Sequence, residues 1–425
     1  MHLHSMQDQQ SQLAAQGVAT SSPALETGRV PQTSFSIGLS ALRGFAALGV
    51  VVYHTFVMLP VGGIEAPDEL RIDLSNGPLL LQHLFLGAFN GRGLVVLFFV
   101  LSGCVLCISI NRRQHFGLRR IPGYLVRRGA RLYPLLILSA TIAALLQLFF
   151  FKQTGLPGAS AWANTQHVTP EEWLWREWFV NAIGHSSNLN TPAWSISVEL
   201  LGSFIFPAIY FLAVRPKTAV FAVVASIALM YFTPGDPRLY YRMNLYTFCF
   251  VMGALVPLYG ERLIRVYDRL PRLIRRIALV VAVLTFMFAR PLVAPTGTSS
   301  TVILMETISA TFIVALVLFR PAPSILKTGV AQEIGRISYG IYLFHLLVIF
   351  VVAHALMPLM RPDGTAEEVA LLLVLGISSL AVTLVLAWIV HRVFEVRMQN
   401  LGRRIGDMLD ARLSPPEPNA LLKSA

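Results

Sequence analysis

The sequence predicts an all-α polytopic membrane protein with about ten transmembrane helices and both termini in the cytoplasm. The first supporting observation is composition: 55% of the 425 residues are hydrophobic and only 13% are charged, with a mean hydropathy of +0.63. Soluble domains carry about 25% charged residues, so this composition excludes an ordinary soluble fold. The other two observations are a series of long apolar segments and an uneven distribution of Lys and Arg between the loops that join them.

Apolar segments of about twenty residues are long enough to cross the hydrocarbon core as helices. Most breaks between them contain proline beside charged residues, which marks turns. The predicted spans are 37–59, 93–110, 132–151, 195–214, 219–232, 245–259, 277–289, 301–319, 339–360 and 369–390. We therefore expect a transmembrane domain over residues 37–400, preceded by a disordered cytoplasmic tail over 1–36 and followed by a cytoplasmic C-terminal tail over 401–425.

The positions of Lys and Arg predict the orientation, since short cytoplasmic loops of membrane proteins are enriched in these residues. Most of the 34 Lys and Arg residues lie after the second, fourth, sixth and eighth predicted helices and in the C-terminal tail. Topology thus explains much of the net charge of +12, with anionic membrane lipids as the partner, and nucleic acid is not required. A bacterial inner membrane is the expected location.

The first predicted helix carries two residues that are costly to bury, Arg43 and His54, in the segment ALRGFAALGVVVYHT. Their spacing of eleven residues is close to three helical turns, so both side chains leave one face, about 16 Å apart along the axis. An ionisable residue inside a membrane is expensive and therefore marks a functional site by default. In the predicted orientation, Arg43 lies near the cytoplasmic boundary and His54 in the outer half of the membrane.

Glu199, in the segment TPAWSISVEL, is predicted at a depth close to that of His54, because the fourth helix enters from the outer side. A carboxylate beside an imidazole holds one ring nitrogen protonated and leaves the other as an acceptor, which makes a general base. We therefore expect Glu199 to orient His54. A histidine that is simply hydrogen-bonded within the helix bundle is the alternative.

The loop after the second helix is rich in arginine and contains neither lysine nor an acidic residue. A guanidinium group is a planar fork that matches phosphate oxygens, although simple anchoring to lipid headgroups would explain the same charges. Arg128 and Arg131 lie one helical turn apart and are predicted to clamp a polyphosphate. Coenzyme A has phosphates at one end and a thioester on a long arm, which suits the distance to His54. The seven arginines are Arg112, Arg113, Arg119, Arg120, Arg127, Arg128 and Arg131.

The sequence resembles the membrane acyltransferase 3 family over most of its length, in five motifs that occur in the family's order. They are Arg43 and His54 with ten residues between them, FFVLSG at 98–103, RRGARLYP at 127–134, WSISVE at 194–199 and ISYGIYLFH at 337–345. The resemblance implies an integral membrane enzyme that moves acyl groups, often acetyl, from acyl-CoA to a hydroxyl of a sugar, a lipid or a secondary metabolite. It also implies an essential role for Arg43 and His54, and importance for Arg128, Arg131 and Glu199.

The candidate residues divide between the two substrates. His345 is expected at the depth of Arg43 and not of His54, within the donor site; a structural ladder of tyrosine and histidine is the alternative. For Ser102, packing of small residues is the favoured alternative, and for Glu306 packing or solvent exposure is equally open. The candidate acyl-CoA contacts are Arg43, Arg127, Arg128, Arg131, Tyr342 and His345. The candidate acceptor contacts are Ser102, Trp194, Ser197 and Glu306.

Together these residues predict direct transfer of an acyl group. His54 takes the proton from an acceptor hydroxyl, whose oxygen attacks the thioester of a cytosolic acyl-CoA, expected to be acetyl-CoA. Because His54 is predicted in the outer half, the acceptor is expected to be an extracytoplasmic glycan, free or linked to lipid. An acyl-histidine intermediate is an alternative route, and a secondary transporter that uses Arg43, His54 and Glu199 as a relay is the alternative function. No metal and no permanently bound cofactor is predicted.

Overall fold

The computed structural model describes residues 32–60, 77–112, 116–151, 155–166, 171–232, 239–294, 299–360 and 362–413. Within these ranges the chain is helical and contains no strand, so the prediction of an all-α polytopic protein is confirmed. The tail expected over residues 1–36 lies outside the described residues, except that 32–36 form the start of the first helix. Residues 414–425 of the expected C-terminal tail also lie outside them.

Nine stretches of the described residues are long and apolar enough to cross a membrane. They are Ile37–Val57, Leu80–Asn111, Leu118–Phe149, Ala193–Ala213, Arg242–Arg269, Arg272–Val293, Ser300–Phe319, Gly329–Leu356 and Thr365–Leu413. A shorter apolar helix, Pro216–Phe232, corresponds to the fifth predicted span. At a rise of 1.5 Å per residue its 17 residues extend only about 25 Å, somewhat less than the hydrocarbon core.

The helices are numbered here in chain order. They are α1 (Gln32–Val57), α2 (Gly77–Phe89), α3 (Gly91–Asn111), α4 (Ile121–Phe149), α5 (Ala161–Asn164), α6 (Leu174–Ala182), α7 (Ala193–Ala213), α8 (Pro216–Phe232), α9 (Leu239–Arg269), α10 (Arg272–Val293), α11 (Ser300–Phe319), α12 (Gly329–Leu356), α13 (Thr365–Val390) and α14 (Val396–Leu413). Short 3₁₀ turns precede α4, α6 and α12, and a π-helical turn, His391–Glu395, joins α13 to α14.

Two helices begin about three turns before the sequence predicted. α4 begins at Ile121 and not at residue 132, and α12 begins at Gly329 and not at residue 339. Apolar windows detect the part of a helix that lipid covers and miss polar turns that continue beyond it. As a result, Arg127, Arg128 and Arg131 lie on one continuous helix and do not lie in a loop.

Small residues let α1 and α12 cross closely. A Cβ atom added at Gly44 of α1 would lie 2.8 Å from the backbone nitrogen of Gly335 in α12, which leaves no room for a side chain. His54 and His345 also contact each other, and each lies ten residues after its glycine. The glycine contact and the histidine contact therefore follow in the same order along the two helices, ten residues apart in each. This means that α1 and α12 run parallel. This pair of helices is the scaffold of the site described below.

The two ends of the bundle are distinguished by the helix ends that meet there. The start of α1 meets the end of α11, where a Cβ atom added at Gly38 would lie 2.8 Å from Val317 Cγ1. The arginine-bearing start of α4 lies at this same end, which we call the basic end. At the opposite end, the ring of Tyr53 in α1 covers Gly91 at the start of α3. The orientation of the two ends across the membrane stays a prediction.

The C-terminal segment is a helix that packs against α4. Polar and apolar residues of α14 alternate with helical period, and Gly402 and Gly406 are its buried positions. A Cβ atom at Gly406 would lie 2.7 Å from Arg127 and 2.8 Å from the carbonyl oxygen of Gly123. The expected cytoplasmic tail is therefore a folded element of the basic end as far as Leu413.

Candidate active site

A narrow cavity runs into the bundle from the basic end between α1, α3, α4, α7 and α12. Its volume of about 50 Å³ is room for a few water molecules and much less than a ligand the size of coenzyme A. We call it the basic cavity, because three of its side chains are arginines. It is lined by Arg43, Phe98, Phe99, Leu101, Ser102, Val105, Arg128, Arg131, Ser195, Ile196, Glu199, Ser338, Tyr339 and Tyr342.

Glu199 is held in this cavity by α3 and α4. Its Oε1 atom accepts hydrogen bonds from Arg128 Nη2 at 2.8 Å and from Ser102 Oγ at 2.9 Å. Arg128 Nε donates to Ser203 Oγ at 3.0 Å, and that hydroxyl in turn donates to the carbonyl oxygen of Glu199 at 2.7 Å. Ser102 is thus a polar partner of the carboxylate and does more than allow close helix packing. The buried ion pair fixes α4 and α7 relative to each other.

Arg43 and Arg131 are the other cations of the basic cavity. Within the described part of the chain, neither guanidinium has a hydrogen bond or an ion pair closer than 4.0 Å, and both interact electrostatically with Glu199 and Glu395. Arg43, Arg128 and Arg131 also lie near enough to repel one another. Unlike Arg128, these two side chains have N–H groups that can donate hydrogen bonds to a ligand. The arrangement is suited to phosphate or another anion that enters from the basic end.

Arg127 is turned away from the basic cavity. Its Nη1 and Nη2 atoms form ion pairs with Asp407 at 3.0 Å and with Asp410 at 2.8 Å, both on α14. The prediction that Arg127 faces the donor site with its neighbours was therefore wrong in geometry, because consecutive residues on a helix point about 100° apart. Of the other arginines in the basic segment, Arg119 and Arg120 lie in the turn before α4, and Arg113 lies outside the described residues.

His54 pairs with His345, and Glu199 is not its partner. His54 Nδ1 and His345 Nε2 lie 2.9 Å apart, and the two ring centroids are separated by 5.0 Å. His345 is fully buried, and its Nδ1 atom lies 2.6 Å from the carbonyl oxygen of Tyr342. Two expectations were therefore wrong: that Glu199 orients His54, and that His345 shares the depth of Arg43.

Both errors in depth have a structural cause. Because α12 begins at Gly329, His345 lies sixteen residues, or about 24 Å, along the helix from the basic end. The start of α7 is sunk into the bundle, where Asn190 Nδ2 donates to the carbonyl oxygen of Leu343 at 2.9 Å. Ser195 Oγ likewise donates to the Tyr342 hydroxyl at 2.7 Å. Glu199, one turn further along α7, therefore reaches the level of Arg128.

The hydrogen bonds of the histidine pair determine its tautomers. A carbonyl oxygen only accepts, so His345 Nδ1 carries the hydrogen that points at Tyr342. In the neutral ring, His345 Nε2 is then an acceptor, and His54 Nδ1 donates to it. This leaves Nε2 of His54 with the basic lone pair. This arrangement can supply a general base held in one tautomer, a task that the sequence analysis expected of the Glu199 carboxylate.

Trp162 of the short helix α5 covers His54. The two rings are nearly parallel, with an interplanar angle of 17° and centroids 5.5 Å apart. Ser160 fixes this helix to the end of α1, since its backbone nitrogen donates to the carbonyl oxygen of Met58 at 2.9 Å and its hydroxyl to that of Val57 at 2.6 Å. Trp162 is not among the residues predicted from the sequence. In the sequence, Trp162 follows Ser160 by two residues in a segment that connects two helices. This arrangement is too common to indicate a functional site.

Two candidates from the WSISVE motif have packing contacts. Trp194 lies among aromatic rings, 5.5 Å from Tyr246, with the guanidinium of Arg242 at 5.3 Å over its ring. Ser197 Oγ donates to the carbonyl oxygen of Ala193 at 3.1 Å within its own helix, and the expectation that Ser197 contacts substrate stays a prediction. Ser195, two residues earlier, lines the basic cavity instead.

Glu306 lies apart from the basic cavity, in a second cavity at the opposite end of the bundle. Its Oε1 atom accepts from Asn90 Nδ2 at 2.7 Å, and Asn90 Oδ1 caps α3 by accepting from Gly93 N at 3.0 Å. The glutamate is only 1% exposed, so solvent exposure is excluded. The second cavity is lined by Arg92, Val96, Tyr246, Arg290, Ala294, Ser299, Val302, Ile303 and Glu306.

Comparison with known proteins gives one family and two similar proteins. A family model described as an acyltransferase domain matches residues 36–392. Acyltransferase MdmB of Streptomyces mycarofaciens is 30% identical over 172 residues, which cover 40% of this chain and 38% of that protein. The putative acetyltransferase ORF330 of Acidianus two-tailed virus is 24% identical over 328 residues, or 75% of this chain and 84% of that protein. No solved structure matches.

Proposed function

The chain belongs to the acyltransferase family whose domain model spans residues 36–392, and from this membership we propose that it is an integral membrane O-acyltransferase. The donor is cytosolic acyl-CoA, expected to be acetyl-CoA, and the acceptor is a hydroxyl of an extracytoplasmic glycan. The single observation that carries the proposal is the contact between His54 and His345 beyond the inner end of a cavity lined by arginines.

The donor site of this proposal is the basic cavity. Arg43 and Arg131 have donors available for the phosphates of the nucleotide, while Glu199 offsets part of their charge through Arg128. Because α1 is one continuous helix, Arg43 and His54 lie about 16 Å apart, which the pantetheine arm can span. Tyr342 connects the two ends of the site, since its ring lines the cavity and its carbonyl oxygen holds His345. The narrow cavity must widen for the arm to enter.

In the proposed step His54 is the general base. Its Nε2 atom takes the proton of the acceptor hydroxyl while the hydroxyl oxygen attacks the thioester carbonyl. The C–S bond breaks, the acyl group passes to the acceptor as an ester, and the proton passes from His54 to the leaving thiolate. His345 keeps the reactive tautomer of His54 in place, because it accepts the Nδ1 hydrogen of His54 throughout. Charge is therefore confined to one imidazolium and one thiolate.

The proposed sidedness follows from the distribution of charge. The basic end faces the cytoplasm, where acyl-CoA is made, and the end with Trp162 faces the opposite side, where the acceptor arrives. A bacterial inner membrane fits this arrangement. Direct transfer requires both substrates at His54 together, whereas an acyl-histidine intermediate would let the donor leave before the acceptor binds.

The test uses the purified full chain with acetyl-CoA that carries a radiolabelled acetyl group, and water takes the place of the acceptor hydroxyl. We expect release of free CoA thiol and loss of thioester, both reduced at least about a hundredfold in His54→Ala. His354→Ala is the matched control, since His354 lies on the same helix as His345 and, among the described residues, its one hydrogen bond is from Nδ1 to the backbone carbonyl oxygen of Phe350. Unchanged turnover in His54→Ala would contradict the proposal.

The same preparation separates the enzyme from the transporter. In sealed proteoliposomes a transporter moves its substrate without consuming thioester, whereas the proposed enzyme consumes acetyl-CoA supplied only on the side of the basic end. Uptake without release of CoA thiol would favour the transporter. Thiol release from one side only, abolished in His54→Ala, would support the enzyme and its orientation.

A further inference from the structure

The basic cavity ends before it reaches the histidine pair. Among the described residues that line it, Arg43 is the only one from α1, and His54 lies about 16 Å further along that helix. Because α3 begins at the opposite end of the bundle and α12 begins at the basic end, Phe98 and Tyr342 are the deepest lining residues of these two helices. The proposed donor must therefore pass two aromatic side chains before its thioester reaches the base.

Phe98 and Tyr342 separate the basic cavity from the imidazole rings. The Phe98 ring packs edge-on against the Tyr342 ring, with centroids 5.4 Å apart and an interplanar angle of 64°. Phe98 also packs against an apolar cluster that includes Ala47 of α1. On the other side, the Tyr342 ring lies 5.9 Å from that of His345, again measured between centroids. Access from the cavity to the histidine pair is thus closed by packed rings.

The face of α1 between Arg43 and His54 carries small side chains. Ala47 follows Arg43 by four residues, Val50 follows Ala47 by three, and His54 follows Val50 by four, so all of them share one face of the helix. Ala47 and Val50 are fully buried. Small apolar side chains leave room for a thin chain along this face once the Phe98 ring moves aside. The pantetheine arm of coenzyme A is such a chain.

Of the two rings, Phe98 is the one that packing alone holds in place. The Tyr342 hydroxyl accepts from Ser195 Oγ at 2.7 Å and donates to the carbonyl oxygen of Pro192 at 3.3 Å, so moving that ring would break two hydrogen bonds. A phenylalanine ring has no polar atom, and Phe98 is only half-buried. Displacing Phe98 therefore costs apolar contacts but no hydrogen bond.

We propose that Phe98 is the gate between the basic cavity and His54, and that it determines which acyl groups reach the base. This inference rests on the proposed function, since it concerns the path of the acyl-CoA donor to the same site. Without donor, the ring closes the path and separates the histidine pair from water in the cavity. An entering arm displaces the ring. Because the acyl group leads the arm through the gate, long acyl groups pass less readily than acetyl.

The binding test uses the purified full chain in detergent, isothermal titration calorimetry and two probes. These are CoA and adenosine 3′-phosphate 5′-diphosphate, which is the same nucleotide without the pantetheine arm. In the wild type the ring must move before the arm can bind, which lowers the affinity for CoA alone. Phe98→Ala should therefore tighten CoA binding about two- to tenfold, the range for one aromatic contact, and leave nucleotide binding unchanged. Phe98→Trp should weaken CoA binding only.

Opposite effects of a smaller and a larger side chain on one probe are the signature of the gate. Nucleotide binding also reports whether each variant is folded, and Phe98→Leu replaces Phe98→Ala if the latter is not. Phe312→Ala is the matched control, since Phe312 is likewise half-buried and packs edge-on against a tyrosine, Tyr267, at 5.3 Å, but is not among the described residues that line the basic cavity. Equal changes for both probes, or unchanged CoA binding in the Phe98 variants, would overturn the inference.

The preference for the acyl group is measured as thioester turnover with acetyl-CoA and hexanoyl-CoA. The ratio of kcat/KM for hexanoyl-CoA to that for acetyl-CoA should rise about tenfold in Phe98→Ala and stay the same in Phe312→Ala. Tighter CoA binding with an unchanged ratio would overturn the role of Phe98 in selecting the acyl group.

The outcomes separate this inference from the proposed function. A wild type that binds neither probe, or whose thioester turnover does not depend on His54, would contradict the proposed function and the gate with it. A wild type that binds CoA and consumes thioester through His54, with the same CoA affinity in the Phe98 variants, would contradict the gate alone.

Discussion

His54 Nδ1 lies 2.9 Å from His345 Nε2, although 291 residues separate the two histidines in the chain. The carbonyl oxygen of Tyr342 fixes the hydrogen of His345, and His345 in turn fixes the hydrogen of His54. The carbonyl oxygen of Tyr342 and the two imidazole rings thus form a series of hydrogen bonds, which determines which nitrogen of His54 can accept a proton. Glu199, which forms an ion pair with Arg128, contributes to the electrostatics of the basic cavity instead.

Replacing His345 should impair the reaction without abolishing donor binding. In His345→Ala the hydrogen on His54 is no longer held at Nδ1, so we expect kcat to fall by about 10²-fold or more while KM for acetyl-CoA changes little. In His345→Gln the amide oxygen can accept the same hydrogen, and more activity should remain. Steady-state kinetics with acetyl-CoA measure both parameters. Equal losses in the two variants, or a change confined to KM, would contradict the positioning role.

Arg131 and Arg127 should differ in their effects although both belong to the basic segment. Arg131 lines the basic cavity, so Arg131→Gln should raise KM for acetyl-CoA about tenfold, the loss of one charged hydrogen bond. Arg127 holds Asp407 and Asp410, so Arg127→Gln should instead loosen α14 and leave KM within about twofold. The measurements are KM for acetyl-CoA and limited proteolysis of α14. A rise in KM in both variants would restore Arg127 as an acyl-CoA contact, as expected from the sequence.

Trp162 should protect His54 from water. Its ring covers the imidazole, so Trp162→Ala should increase hydrolysis of acetyl-CoA relative to transfer by about tenfold, whereas Trp162→Phe should restore most of the cover. The ratio of acetate to acetylated product is the measurement. Trp175→Ala is the control, because Trp175 is 81% exposed. An unchanged ratio in Trp162→Ala would show that the ring has only a packing role.

Gly335 should be intolerant of a side chain. A Cβ atom there would collide with the backbone oxygen of Ser40 in α1, so Gly335→Ala should separate α1 from α12 and misalign the histidines. We expect a loss of about 1–3 kcal/mol in the free energy of unfolding together with a large loss of turnover. Gly329→Ala is the matched control in the same helix, since nothing lies within 4 Å of its added Cβ. Thermal denaturation and turnover should change in Gly335→Ala alone.

The fold was predictable because the membrane imposes a strong and local rule. Each of the ten apolar windows corresponds to a helix, since a spanning segment must satisfy its backbone hydrogen bonds internally and must be apolar to enter lipid. Polar continuations of helices were missed for the same reason. The start of α12 at Gly329 and the amphipathic α14 lie beyond the apolar signal on which those predictions depended.

The residues of the site were easier to find than their partners. Arg43, His54 and Glu199 are conspicuous because an ionisable residue is costly in an apolar segment, and Arg128 stands out as part of an arginine-rich segment without lysine or acidic residues. Which of them meet depends on where each helix enters the bundle, and Asn190, which sinks the start of α7, has no distinctive pattern in the sequence. Assigning depth from predicted helix ends therefore paired Glu199 with the wrong residue.

The long separation of the two histidines also affects how the protein is made. Translation proceeds at about 5–20 residues per second, so roughly 15–60 s pass between the synthesis of His54 and that of His345. Throughout that interval α1 lies in a partly assembled bundle that lacks α12, the helix whose histidine pairs with His54. Nascent chains that stop before α12 are therefore expected to lack the histidine pair, which forms only after His345 has been synthesised.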